Sequence, residues 1–244
     1  MPARSGERMD AVAAAVALVG REFPACLAAF LAGSVVRGEA TASSDLDILV
    51  IVPPDQPVFR ESFRAFGWPV ELFVQTPESH RDFAAADAAR RRPATSMMCC
   101  EGIVLQDRDG LAGRLKQEAC RLLAAGPPAL SPREIAMARY ALSDLLDDFA
   151  DAAGAEAFFI AHDLAVGACD LILDLNRRWR GRGKWVLRAL RRFDPALAGR
   201  LAEAMDAFYG AGDPAPLVAF VDHALDLAGG RHWEGFRIAS QARP

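Results

Sequence analysis

The chain changes pattern near residue 126, and any fold must accommodate both halves. Before that point short β-rich runs alternate with helical stretches; after it every segment reads helical. Strand patterns cover 28–33, 46–52 (stopped by Pro53-Pro54), 70–74 and 102–106. Helical patterns cover 57–66, 77–91 and 110–124, preceded by an alanine-rich helix from near Glu7 to Pro24. This predicts an α/β module on a small mixed sheet. The run Ala125-Gly-Pro-Pro-Ala-Leu130 reads as a linker, and Ser131-Pro132-Arg133-Glu134 as a capping box. About five helices are expected beyond it, over 132–152, 155–178, 184–192, 195–209 and 214–228. Asp194-Pro195 and Asp213-Pro214 would open two of them, with Gly210 and Gly229 as closing glycines. The expected division is 1–125 for an α/β domain and 126–244 for a helical bundle.

The 244 residues are 52% hydrophobic and 25% charged, enough apolar material for one large core or two modest ones. Disorder, collagen-like structure and a disulfide mini-protein are excluded. The apolar run 11–20 follows Arg4 and Arg8, as in a secretory signal, but Glu7 and Asp10 sit in the would-be positive region. No run approaches the ~18 apolar residues of a membrane span, so a soluble, cytoplasmic protein is expected. Five cysteines without a CxxC pair fit a reduced compartment and no structural zinc.

Chemistry concentrates in Gly33-Ser34-Val-Val-Arg-Gly-Glu-Ala-Thr-Ala-Ser-Ser44-Asp45-Leu46-Asp47-Ile-Leu-Val-Ile-Val52. Asp45 and Asp47 are two apart on a strand and leave by one face, while Leu46, Ile48, Val50 and Val52 take the other. Paired carboxylates repel unless a cation lies between them. With no His or Cys nearby, the all-oxygen donors suit Mg²⁺ and not zinc. Acids at the start of a strand also occur in ordinary solvated loops, so the pair alone does not decide. Gly33-Ser34 reads as a turn opening a helix, offering N–H groups and a hydroxyl to a phosphate. Glu71, inside the apolar strand Val70–Val74, needs a reason to be there, and a metal held by Asp45 and Asp47 supplies one.

Gly-Ser, a spacer, Asp-x-Asp on a strand and a third acid on another strand together resemble the polymerase-β-type nucleotidyltransferase superfamily. The string 33–52 is similar to small bacterial antibiotic (aminoglycoside-type) adenylyltransferases and minimal nucleotidyltransferases. The resemblance implies an N-terminal nucleotidyltransferase domain followed by a helical substrate and nucleotide-clamping domain. It implies Gly33 and Ser34 on the nucleotide phosphates, Ser44 as a further contact, and Mg²⁺ on Asp45 and Asp47. Glu71 would complete the metal site or deprotonate the acceptor. ATP is the implied donor, its α-phosphorus attacked in line by an acceptor hydroxyl with loss of pyrophosphate. No Walker lysine loop is present, so γ-phosphate hydrolysis is not expected.

The second half divides its charge. Tyr140 to Asn176 holds eight acids and no Lys or Arg, with Asp144, Asp147, Asp148 and Asp151 on one helical face. Such a face is either simply solvated or the docking surface of a cationic, aminoglycoside-like acceptor. Arg177 to Arg192 holds eight bases and no acid. Among 28 basic residues only Lys116 and Lys184 are lysines, which singles out Lys184; by resemblance it would reach the triphosphate. The four histidines show no ligand spacing and read as structural.

The leading expectation is therefore AMP transfer from ATP to a hydroxyl of a small, cationic acceptor, with a protein-modifying, antitoxin-like role as the alternative. A pI near 5.6 and net charge of −4 disfavour a nucleic-acid substrate. ATP against another nucleoside triphosphate stays open, as does the oligomeric state.

Overall fold

The computed structural model describes residues 8–237. The chain forms two compact units that divide between Ala125 and Gly126.

In the first unit, helix α1 (Ala11–Glu22) is followed by β1 (Ala28–Ala32), β2 (Leu46–Ile51), β3 (Phe59–Ala65), β4 (Trp68–Gln75), α2 (Pro77–Ala89), α3 (Ala94–Glu101), β5 (Ile103–Asp107) and α4 (Leu111–Ala125). The sheet order is β3-β4-β2-β1-β5. β2 and β4 run parallel; the other neighbouring pairs are antiparallel. The mixed sheet is thus as expected, with one strand more. α1 starts later than near Glu7, which lies outside the described residues. Asp10 caps it by accepting from the Ala13 N–H.

Within the stretch 57–66, residues 59–65 form strand β3 and no helix. Phe66 and Gly67 form a two-residue turn with φ of 51° and 81°, the backbone sign that tight hairpins require. That turn folds β3 back onto β4 from Ala65↔Trp68 to Phe59↔Val74. Tertiary pairing overrides a local pattern that fits a helix equally well. The helical reading of 77–91 ends earlier, at Ala89, and the separate helix α3 follows.

Side-chain alternation sorts the sheet into two apolar faces. Leu46, Ile48, Val50 and Val52 pack with Leu72, Val74 and the inner face of α1 (Ala14, Ala15, Leu18). Leu49, Ile51, Phe30 and Ala28 pack on the opposite face with Cys99 of α3 and Ala112 and Ala119 of α4. Cys100 and Cys120 are disulfide-bonded, tying α3 to α4 with a Cα–Cα distance of 5.0 Å. The reading of all five cysteines as reduced thiols fails for this pair, because packing brings together residues 20 apart in sequence. Cys26, Cys99 and Cys169 are free and buried.

The second unit has α5 (Pro132–Asp151), α6 (Gly154–Leu175), α7 (Lys184–Phe193), α8 (Pro195–Ala211) and α9 (Ala215–Leu227). The Ser131/Glu134 capping box forms as expected, and Asp194 caps α8 by accepting from Ala196 and Leu197 N–H groups. α8 closes at Gly212, left-handed at φ 71°, rather than at Gly210, which lies inside the helix. α6 is the hub, contributing Leu164, Ala168, Leu171 and Ile172 to one core with Leu146, Leu201, Phe220 and Val221. Among the described residues no helix is long and apolar enough to cross a membrane.

Candidate active site

The acids converge because of strand register. β2 and β4 pair in parallel with Asp47 directly beside Glu71. Asp45 lies two residues before Asp47 and emerges on the same side. This is the face on which Leu49 and Ile51 are buried further along β2, so the acids stand where its apolar cover gives out. One carboxylate oxygen from each of Asp45, Asp47 and Glu71 falls within 4.8 Å of the others, and all three side chains are half-buried.

Electrostatics mark Asp47 as the centre of this cluster. Burial raises its pKa to about 6, the neighbouring Asp45 and Glu71 carboxylates push in the same direction, and Arg37 and Arg60 oppose them. Three clustered oxygen donors whose charges disfavour one another suit a hard divalent cation, which would relieve that repulsion.

Gly33 follows β1, whose last residue, Ala32, pairs with Asp47. Its φ is 83°, and a Cβ there would overlap the Asp47 carboxylate. Backbone and carboxylate are therefore in close approach. Ser34 donates its hydroxyl to Ser44 Oγ at 3.0 Å, and Ser44 Oγ also accepts from the Thr41 N–H at 2.8 Å. The two serines thus brace the loop between β1 and β2. Residues 34–38 are a turn and not the start of a helix, so no helix dipole acts here, contrary to expectation. Gly33, Ser34, Ser44 and the three acids all belong to the first unit. Lys184 belongs to the second, exposed at the first residue of α7.

Two basic residues at the site were not singled out from the sequence. Arg60 on β3 donates Nη2 to Glu71 Oε1 at 2.7 Å. Reading 57–66 as a strand would have exposed it, since alternation puts Arg60 and Ser62 on Glu71's face. Arg37, in the turn after Ser34, donates Nη1 to Glu101 Oε2 at 2.9 Å and joins that turn to the end of α3. Conversely, two members of the acidic stretch are withdrawn from any solvent surface. Asp170 and Asp174 are buried in α6 and paired with Arg180, which belongs to the basic run.

Comparison with known proteins adds one clear match. Residues 19–84, spanning β1 to most of α2, match the family described as nucleotidyltransferase domain. No curated protein matches the chain. A solved structure described as a nucleotidyltransferase-like protein from Exiguobacterium sibiricum 255-15 is similar at 15% identity and a TM-score of 0.44, covering 90% of this chain and 77% of that one. The first unit thus carries, over residues 19–84, the match to a nucleotidyltransferase domain, and a helical C-terminal region follows that unit.

Proposed function

We propose that the protein is a Mg²⁺-dependent adenylyltransferase that moves AMP from ATP to a hydroxyl of a small acceptor. A nucleotidyltransferase domain supports nucleotidyl transfer in general. The observation that carries the finer reading is the convergence of Asp45, Asp47 and Glu71 beside the glycine turn at Gly33. Held by these three carboxylates, Mg²⁺ would neutralise triphosphate charge and polarise the α-phosphate. The acceptor oxygen bonds to the α-phosphorus as the bond from that phosphorus to the bridging oxygen breaks, and pyrophosphate leaves with that oxygen. The hydroxyl proton passes to Glu71 in this reading. The turn at Gly33-Ser34 lets the backbone approach the phosphates closely, with Ser44 bracing it. Lys184 is assigned to the β- or γ-phosphate, as a compact point charge. The exposed acids Asp147, Asp148 and Asp151 of α5 favour a cationic, aminoglycoside-like acceptor.

Pyrophosphate release tests the reading, with Mg²⁺-ATP, GTP, CTP or UTP and a panel of aminoglycosides. Release that requires ATP, Mg²⁺ and an aminoglycoside supports it. Absence of release from folded, nucleotide-binding protein sinks the cationic-acceptor reading and leaves a neutral metabolite or a protein hydroxyl, and label from ATP appearing on a protein identifies the latter. Lys184→Ala is expected to weaken ATP more than AMP.

A further inference from the structure

Arg60 occupies the third carboxylate of the site. In the β3–β4 hairpin Ser62 stands opposite Glu71 and Arg60 opposite Phe73. Arg60, Glu71 and Phe73 therefore share one face of the sheet. The guanidinium donates to Glu71 Oε1 at 2.7 Å and lies over the Phe73 ring, 4.7 Å from its centroid. The Arg60 side chain is 60% exposed and that of Glu71 30%, so the pair contributes little to folding in water. Its weight falls instead on the field at the acid cluster, where Glu71 lies within 4.8 Å of Asp45 and Asp47.

We propose that Arg60 is a positioning residue that holds Glu71 in the metal-free protein and yields it when a divalent cation arrives. A guanidinium and a divalent cation compete for the same carboxylate, and each weakens the other's binding by charge repulsion. Bare cations then enter against Arg60, whereas a cation carried on a triphosphate brings the negative charge that offsets it. Phe73 provides a place where the released guanidinium remains stacked. Metal and nucleotide are thereby coupled: each makes the other's entry easier. This rests on the proposed metal–nucleotide site, but its first test needs no transfer reaction.

The test is Mn²⁺ binding to the full chain without nucleotide, read from the electron paramagnetic resonance signal of free Mn²⁺. Arg60→Gln is expected to bind Mn²⁺ roughly three- to tenfold more tightly than the parent, and Arg60→Lys within about twofold of it. In a Glu71→Gln background the gain from Arg60→Gln should fall to less than about half on a logarithmic scale, since the contested carboxylate is gone. With a non-hydrolysable ATP analogue present, the parent and Arg60→Gln should differ less than without it. Equal or weaker Mn²⁺ binding by Arg60→Gln, including no binding by either protein at millimolar Mn²⁺, overturns the proposal. So does an undiminished gain in the Glu71→Gln background. A purely structural role would shift the melting temperature of Arg60→Gln without raising Mn²⁺ affinity. Tighter Mn²⁺ binding by Arg60→Gln alongside absent pyrophosphate release would sink the transfer reaction and leave the role of Arg60 standing.

Discussion

Gly33 and the Asp47 carboxylate stand so close that no side chain fits between them. The contact joins the turn after β1 to the acid-bearing edge of β2, and the β1–β2 register maintains it through Ala32↔Asp47. Gly33 also sits at φ 83°, where any Cβ is strained. Gly33→Ala should therefore displace the Asp47 carboxylate as well as the turn. The expected outcome is a loss of at least ~100-fold in kcat/KM, as misplacement by about 1 Å commonly produces. The melting temperature should also fall. Near-parental kinetics in this variant would dismiss the close approach as unimportant.

Asp47 is expected to make the metal-free protein less stable as pH rises. Its folded pKa of about 6 lies above the ordinary 3.8, so folding favours the protonated form. The stability linked to this group is complete below about pH 3.8 and is lost as pH climbs through about 6. Asp47→Asn cannot ionise and should be more stable than the parent at pH 8, by on the order of 1–3 kcal/mol. At pH 4 the difference should largely vanish. Melting curves at both pH values without divalent cations check this, and Mg²⁺ at pH 8 should narrow the gap by stabilising the parent alone. Pyrophosphate release by Asp47→Asn should be abolished.

How much of this was readable beforehand follows from where the controlling forces act. Asp45 immediately precedes β2 and Asp47 lies within it, and period-two alternation carried one residue past the strand end gives their common face. Glu71 was found as an acid inside an apolar run. The helical half was legible because its caps are local: Ser131, Glu134 and Asp194 act on N–H groups within three residues. Arg60 was lost because β3 is defined by pairing with β4, and a seven-residue run of mixed polarity does not announce its partner. Asp170 and Asp174 looked like two more surface acids, since the helix gives no hint that Arg180 returns to cover them. The Cys100–Cys120 bond depends on how α3 and α4 pack, which spacing cannot supply.

The disulfide gives a prediction about reactivity and stability together. It closes a loop of 20 residues in sequence separation, for which the chain-entropy estimate is about 3 kcal/mol. Reduction, or Cys100→Ser with Cys120→Ser, should lower the stability of the first unit by up to about that amount. Alkylation under native conditions should label no cysteine before reduction and two after it. Cys99 and Cys169 stay unlabelled because burial pushes their thiols up to about 12, and burial raises Cys26 as well. Mass spectrometry of the labelled peptides decides it; native labelling of Cys99 would contradict the packing of α3 against the sheet.

Arg180 is expected to be the most sensitive charged residue of the second unit. Its Nε donates to both Asp174 oxygens, at 3.0 and 2.9 Å, its Nη2 also reaches Asp174, and its Nη1 donates to Asp170 Oδ2 at 3.2 Å. The Asp174 side chain is 1% exposed, so its charge has little access to water. Burial acts to lower the Arg180 pKa, but the hydrogen bond to Asp174 and the charges of Asp170, Asp174 and Glu134 outweigh it and raise the value. Arg180→Ala strips both aspartates of this guanidinium and should cost about 3–5 kcal/mol. Asp174→Asn in the Arg180→Ala background should recover part of the loss, because the remaining amide carries no charge to bury. The α5 acids offer the contrast. Asp147 and Asp148 are exposed, and replacing both with Asn should change stability by no more than about 0.5 kcal/mol. The same double replacement should raise acceptor KM if the ridge meets a cationic acceptor. Denaturant melts separate the two groups of acids: a small effect at Arg180, or a large one at Asp147 and Asp148, would reverse the assignment of which acids hold the bundle together and which stand free of it.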